Sequence, residues 1–317
     1  MTVHFISPER RTLHGSFSRD YEPILTIDPG DTVRYKTLDA GWGLEPPKGE
    51  GHPGKHFEPR DPERDSGHAM CGPIAIRGAK PGMTLAVQIN ALQPGSWGWS
   101  SAGGWPLWVN DRLGISEAQE VKANWRLDAD AMVGRNQRGE TVPLRPFMGL
   151  LGMPPGEPGI HSSRPPRFCG GNLDCKELVP GSILYLPIPV EGALFSIGDG
   201  HAAQGDGEVS GVAIECPMDL VDITLDLRPN MELKMPRAKT PAGWIAFGLH
   251  EDLNEAFVIA LEGMLDLMGS VYGLSKVEAL NLASLVVDFR ITQVVNVVRG
   301  VHAVLPHGVI SQSHEAG

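Results

Sequence analysis

The chain has 317 residues, 41% hydrophobic and 21% charged, with a formal net charge of -11. This composition suits a globular protein with one large core or two smaller ones, and it excludes a disordered chain and a basic nucleic-acid surface. No apolar run reaches membrane-spanning length, and the opening MTVHFISPERRTLHGS lacks the apolar stretch of a secretory leader. The four cysteines lack CxxC spacing, so a disulfide framework is not expected and a reducing cytoplasm is the simplest address.

Glycine (39) and proline (27) are spread through the first three quarters, as short strands joined by turns require. In chain order DTVRYKTL (31–38), MTLAVQI (83–89), SILYLPI (182–188) and LFSIGD (194–199) alternate or run apolar and read as strands. RPNMELKMPRAKTP (228–241) reads as a linker. Beyond it the pattern turns helical: Asp252 with Glu255 starts one helix that Gly269 ends, and Ser275 with Glu278 starts another. RITQVVNVVRGVHAVLP (290–306) reads as one or two strands. The expected fold is α+β and predominantly β, with duplicated sandwich- or barrel-like β units. Residues 1–235 form the β-rich body that carries the site. Residues 236–317 form a helical portion with terminal strands, of which 242–290 offers packing or subunit contacts and no catalytic constellation.

The duplication is legible without a gap. Shifted by 99 residues, CGPIAIRGAKPGMTLAVQI (71–89) lies on GGNLDCKELVPGSILYLPI (170–188), aligning Gly72 with Gly171, Pro81-Gly82 with Pro180-Gly181, Leu85 with Leu184 and Ile89 with Ile188. IDPGDTVRY (27–35) is a shorter echo. Pro73 and Ala75 of the first copy become Asn172 and Asp174 in the second. The scaffold therefore does not itself demand that aspartate, which is either one member of a polar strand face or part of a site.

GDGHAAQGDGEVSG (198–211) concentrates acids, an imidazole and a glutamine among five glycines. A hairpin looping around 200–207 would aim Asp199 and His201 from one strand and Glu208 from the return strand at one place. Carboxylate and imidazole together suit zinc or a similar divalent ion, which activates water, while a further carboxylate shuttles the proton. The spacing is no established zinc signature, and a solvated Gly/Asp turn remains the alternative. His68 is a third-ligand candidate or an ordinary hydrogen-bonded histidine. Cys175 reads as a core residue before a nucleophile. His161 and Arg167 lie on a Pro-rich loop leading into the Asp174 strand and rank as binding candidates above His52, His56 and His314. SWGWSSAGGWPLW (96–108) holds four of the seven tryptophans and lines either a pocket or the core.

GGNLDCKEL and PGSILYLPIPVEGALFSIGDGHAAQGDGEVSGVAIE, together with LTIDPGDTVRYKTLDA, GPIAIRGAKPG and SWGWS, resemble the acetamidase/formamidase family over most of residues 20–315. The resemblance implies hydrolysis of small carboxamides to acid and ammonia, lactams in some relatives, a bound zinc and a homo-oligomer. It carries over to Asn172, Asp174, Asp199, His201, Gln204, Asp206 and Glu208, which stand in the matching motifs. Gly200 replaces a residue expected as Thr and would loosen the loop; Ser210 stands where Cys is common. The expected site has Asp174, His201 and Asp199 as metal ligands and Glu208 as proton shuttle for attack by metal-bound water. Asn172 serves as oxyanion donor, and Gln204, His161 and Arg167 bind substrate. Asp206 competes with Asp199 for the third ligand place, and a second ion such as calcium is left open. The alternatives are a lactamase or amidase for larger amides, or a metal-stabilised small-ligand binder without turnover. Neither a nucleic acid nor a membrane is an expected partner.

Overall fold

Among the described residues the strands assemble into two large sheets and two small ones. The computed structural model describes residues 1–47 and 54–311, so His52 and His314 lie outside the described residues. The largest sheet has nine strands. Its first five are Val3–Ile6, Asp31–Thr37, Met218–Arg228, Thr84–Pro94 and Ile183–Pro187; Arg237–Lys239, Gly243–His250, Arg299–Pro306 and Asp288–Gln293 continue it. The second large sheet runs Gly170–Asn172, Phe147–Gly152, Phe195–His201, Met70–Ile76, Leu13–His14, with Leu25–Ile27 also pairing to Met70–Ile76. Ile74, Leu151 and Ile197 of this sheet share one buried cluster with Leu85, Leu184 and Ile223 of the nine-stranded sheet. The fold is α+β and predominantly β.

Alternation explains strands with one wet face: in Asp31–Thr37, Val33 and Tyr35 are buried while Arg34 and Lys36 are exposed. Phe195–His201 differs, being buried at every position. It pairs with Phe147–Gly152 and Met70–Ile76 in the sheet, and burial at successive positions shows that protein covers both of its faces as well.

Residues 71–89 and 170–188 meet in the large sheet. Thr84–Pro94 and Ile183–Pro187 pair antiparallel, and Ala86 lies opposite Tyr185, residues that are 99 apart in sequence. Ile89 N donates to Ser182 O and Ile188 N to Met83 O, both at 2.9 Å, as a local two-fold through that pair requires.

The 228–241 stretch is not a free linker. Arg237–Lys239 pairs with Ile183–Pro187 on one side and Gly243–His250 on the other, so the sheet runs across the 235/236 division. Both helices start where their caps stand. Asp252 accepts from the backbone N–H groups of Asn254 and Glu255, and Ser275 with Glu278 forms a complete capping box. The first helix passes through Gly269 to Tyr272, because Gly273, at φ 69, supplies the left-handed residue that ends it.

Leu253–Tyr272 packs on the sheet through small residues. A Cβ on Gly248 would lie 1.8 Å from Ala256 O and 2.5 Å from Ala260 N, so strand and helix touch backbone to backbone. Gly248→Ala is expected to force them apart and to destabilise the fold by about 3 kcal/mol. The urea midpoint measures this, and an unchanged midpoint would mean the helix shifts freely.

Candidate active site

The site forms where Phe195–His201 ends. Asp199 has φ 60, a left-handed backbone inside a strand, so plain alternation does not aim its side chain. The expected return strand is absent: 202–217 is irregular apart from isolated bridges, one of which joins His201 to Glu215. Glu208 reaches the site instead from a turn with φ 46, where Gly207 N donates to Thr292 O and Val294 N to Gly207 O, both at 3.1 Å. Gly170–Asn172 stops short, Asp174 takes φ 51, and its N–H donates to Gly149 O at 3.1 Å.

His201 is the hub. Its Nε2 lies 3.3 Å from Asp199 Oδ1 and 3.3 Å from Glu215 Oε2. Gln204 sets the ring: its amide nitrogen donates to Asp174 O at 2.9 Å, a carbonyl that can only accept. Its Oε1 therefore faces His201 Nδ1 at 2.9 Å and can only accept, so Nδ1 carries a hydrogen and Nε2 is the nitrogen turned to the carboxylates. Asn296 Nδ2 donates to Asp174 Oδ2 at 2.5 Å. Gly149 clears the centre, for a Cβ there would lie 2.5 Å from Asp199 Oδ2, 2.7 Å from Asp174 Oδ1 and 2.9 Å from His201 Cε1.

Burial is the largest influence on these groups, and neighbouring charges decide where each ends. Burial and then Asp199 push Asp174 up to about 7. Burial and Asp174 carry Glu208 well above the carboxylate range. Burial raises Glu215 to about 6 against the pull of His201. Burial would raise Asp199 too, but His201 and His68 hold it below its ordinary value. Burial opposes charge on His201, yet Glu215 and Asp199 raise its pKa well above the ordinary one. Burial lowers His68, with Asp199 opposing.

Four oxygens here, Asn172 Oδ1, Asp174 Oδ1, Glu208 Oε2 and Glu215 Oε2, are buried without a hydrogen-bond partner among the described residues. Each such atom left unmet costs about 1–3 kcal/mol, so stability alone does not account for the cluster. Asp174, His201 and Glu208, and likewise Asp199, His201 and Glu215, bring ligand atoms within 4.8 Å of one another. A proton on His201 Nε2 can reach only Asp199 Oδ1 and Glu215 Oε2, each 3.3 Å away, whereas a divalent cation beside His201 would also meet the Asp174 and Glu208 carboxylates. The residues present fit such an ion, and nitrogen with carboxylate oxygen suits zinc and its neighbours.

The groups open on a pocket of about 210 Å³ lined by Ala40, Gly41, His68, Trp99, Asn172, Asp199, His201, Glu208, Gly211, Val212, Glu215 and Asn296. A larger cleft of about 520 Å³, at Arg11, Asp20, Tyr21 and Arg64, contains none of these groups, so chemistry rather than size selects the smaller one.

Of the residues expected from sequence, Asn172, Asp174, Asp199, His201, Gln204 and Glu208 come together here. Asp206 does not: it is exposed and pairs with Lys176 at 2.9 Å. His161 bonds Glu157 O at 3.1 Å, Arg167 bonds Pro165 O at 3.0 Å, and neither lines the pocket, because their loop is consumed by local backbone contacts. Of the tryptophan-rich stretch only Trp99 does so, its indole N–H on Asp39 at 2.6 Å. Gly200 does not loosen a loop, since it lies within the strand and a Cβ there would sit 2.6 Å from Met218 and 2.8 Å from Cys216 O.

Sequence reading missed Glu215, Gly149 and Asn296. Only Asn296 left a signal, as a polar amide inside the apolar run VVNVV. Cys175, Glu177 and His302 form a second buried group. There Arg290 lies 2.8 Å from Glu177 Oε1 and His302 3.3 Å from Oε2, so a guanidinium already balances the carboxylate and the group is an internal ion-pair network. Burial drives the Cys175 thiol well above its ordinary pKa, which removes it as a nucleophile.

The profile of the Acetamidase/Formamidase family matches residues 4–163 and 161–312. A formamidase of Methylophilus methylotrophus is 25% identical over 247 residues, covering 62% of this chain and 60% of that protein. An acetamidase of Mycolicibacterium smegmatis is 25% identical over 270 residues, covering 68% and 65%. The crystal structure of an acetamidase from Yersinia enterocolitica superposes with a TM-score of 0.82 at 28% identity, covering 98% of this chain and 93% of that one. The chain spans about 60% of the length of the first curated relatives it matches.

Gln204→Ala removes the acceptor that orients His201. It is expected to lower affinity for a divalent ion about 10- to 100-fold with unchanged circular dichroism. Competition against a chromogenic chelator measures it; wild-type affinity would show that the ring holds its orientation without Gln204.

Proposed function

The chain belongs to the acetamidase/formamidase family, and from that premise we propose that it hydrolyses small linear carboxamides to the carboxylic acid and ammonia. The observation that carries the reading is the convergence of Asp199, His201, Glu208 and Glu215 on a pocket of about 210 Å³, a volume that suits amides of few heavy atoms, with Asp174 grouped behind it with His201 and Glu208. The names formamidase and acetamidase borne by the relatives support the same substrate class.

Asp174, Asp199 and His201, which surround the space kept open by Gly149, would hold a divalent cation, zinc in our assignment. When bound, such an ion supplies Lewis acidity at the amide carbonyl and lowers the pKa of water. The chain's own residues account for the rest. Gln204 orients the His201 ring, and Asn296 fixes the Asp174 carboxylate. Glu208, buried and with Oε2 unpartnered, takes a proton from the attacking water as the new C–O bond forms. It delivers that proton to the amide nitrogen, which then leaves as ammonia when the C–N bond breaks. Asn172 lines the pocket and offers its side-chain amide to the carbonyl oxygen as charge develops there.

We assign the protein to the cytoplasm and to a homo-oligomer. Four buried free cysteines agree with a reducing compartment. No single helix among the described residues is long and apolar enough to cross a membrane. Val277, Leu280 and Leu285 on Lys276–Val286 are exposed apolar side chains of the kind a subunit contact covers.

The test joins metal analysis to ammonia release, before and after chelation. Stoichiometric zinc with formamide or acetamide turnover that disappears on chelation and returns with metal is the expected result. Bound metal without ammonia from any amide would leave a binding protein. His201→Ala is expected to lose both metal and turnover, and metal content equal to wild type would remove His201 from the ligands. Glu208→Gln is expected to keep the metal and lose turnover about 100- to 10,000-fold; substantial activity would assign the proton transfer elsewhere.

A further inference from the structure

His68 borders the same pocket as Asp199 and His201 and has no role in the scheme above. Its ring is fixed from behind. Nδ1 lies 2.9 Å from Ser163 Oγ, and the His68 backbone N–H donates to that same oxygen at 3.1 Å. Ser163 is fully buried, so its hydroxyl hydrogen needs an acceptor within the protein. Among the described residues that acceptor is His68 Nδ1. Ser163 therefore donates to Nδ1, and the single N–H of the neutral ring is on Nε2.

The support leaves little freedom. A Cβ on Gly67 would lie 2.1 Å from Ser163 Oγ and 2.4 Å from Gly15 O, so only glycine allows this approach. Trp42 Nε1 donates to Gly67 O at 2.8 Å and holds the segment down. His68 and His201 thus turn differently prepared nitrogens to one pocket. His201, held by Gln204 through Nδ1–H, turns Nε2 to the carboxylates, where a proton or a cation can sit. His68, held by Ser163 at a bare Nδ1, presents Nε2–H, which can donate and cannot ligate; Nε2 has no hydrogen-bond partner among the described residues.

We propose that His68 is a catalytic residue whose Nε2–H donates a hydrogen bond to the carbonyl oxygen of the substrate amide, a bond that strengthens as the oxygen gains negative charge. The proposal rests on the amidase reading. A neutral imidazole suits this role because it adds a directed dipole to a crowded acidic site without giving its proton away. Ser163 is a positioning residue that acts through the ring.

The experiment compares wild type, His68→Ala and His68→Gln on acetamide and thioacetamide, with metal content measured for each. For His68→Ala on acetamide, kcat is expected to fall about 100- to 1000-fold with KM and metal content near wild type. The loss on thioacetamide should be smaller, because sulfur is a weak hydrogen-bond acceptor. His68→Gln, whose amide N–H reaches a similar point, should recover part of the rate. Equal losses on the two substrates, loss of the metal, or undiminished turnover would each overturn the role of His68 and leave the amidase reading intact. No ammonia from any amide with the wild type would overturn both.

Discussion

The structure depends on keeping four carboxylates within reach of one imidazole in a dry interior. Two like charges 4 Å apart repel by about 4 kcal/mol at an effective dielectric constant of 20. Such a group must therefore be held by its frame and neutralised by protons or a cation. The frame is visible in the backbone: Asp174, Asp199 and Glu208 all have left-handed φ, at 51, 60 and 46. Each such residue costs about 1–2 kcal/mol, and three together mark a place where geometry outweighs local preference. Gly149 completes the frame by removing the one side chain that would occupy the centre.

The C-terminal part belongs to this frame. Its strands continue the nine-stranded sheet across Arg237–Lys239, and the 293–298 loop delivers Asn296 to Asp174. Gln293 shapes that loop, accepting from Val295 N and Asn296 N at 2.9 and 3.0 Å and donating to Val298 O at 2.8 Å. One residue later Val297 has φ 67, an unfavourable backbone for a β-branched side chain. The same segment anchors Gly207, and through it the Glu208 turn. Asp174 and Glu208, from separate stretches of the β body, are thus registered against each other by residues some ninety positions beyond Glu208.

What was legible in the sequence follows from how local each feature is. Strand alternation in 31–37, both helix caps and the GDGHAAQGDGE cluster are written in neighbouring residues and could be read there. The hairpin expected at 200–207 could not, because period-two reasoning assumes extended backbone and Asp199 and Glu208 depart from it. His161 and Arg167 were drawn in by their closeness in sequence to Asp174, whereas their side chains bond the carbonyls of their own loop. Glu215 and Gly149 carry no local mark at all. The importance of Gly149 exists only after the Asp174 and Asp199 chains have arrived on either side of it.

The two related segments explain why the site occupies one place and not two. In the first, Met70–Ile76 runs as a full strand with Ala75 inside it. In the second, Gly170–Asn172 ends early, and Asp174, at the position matching Ala75, turns left-handed with its carboxylate inward. The pairing that relates the segments, with Ala86 opposite Tyr185, lies in the other sheet and is unaffected by this difference. A stable shared scaffold in one sheet therefore allows one copy to break its strand in the other. The buried acids can be tolerated there because the cost of holding them falls on a local departure from a frame that the rest of the chain already secures.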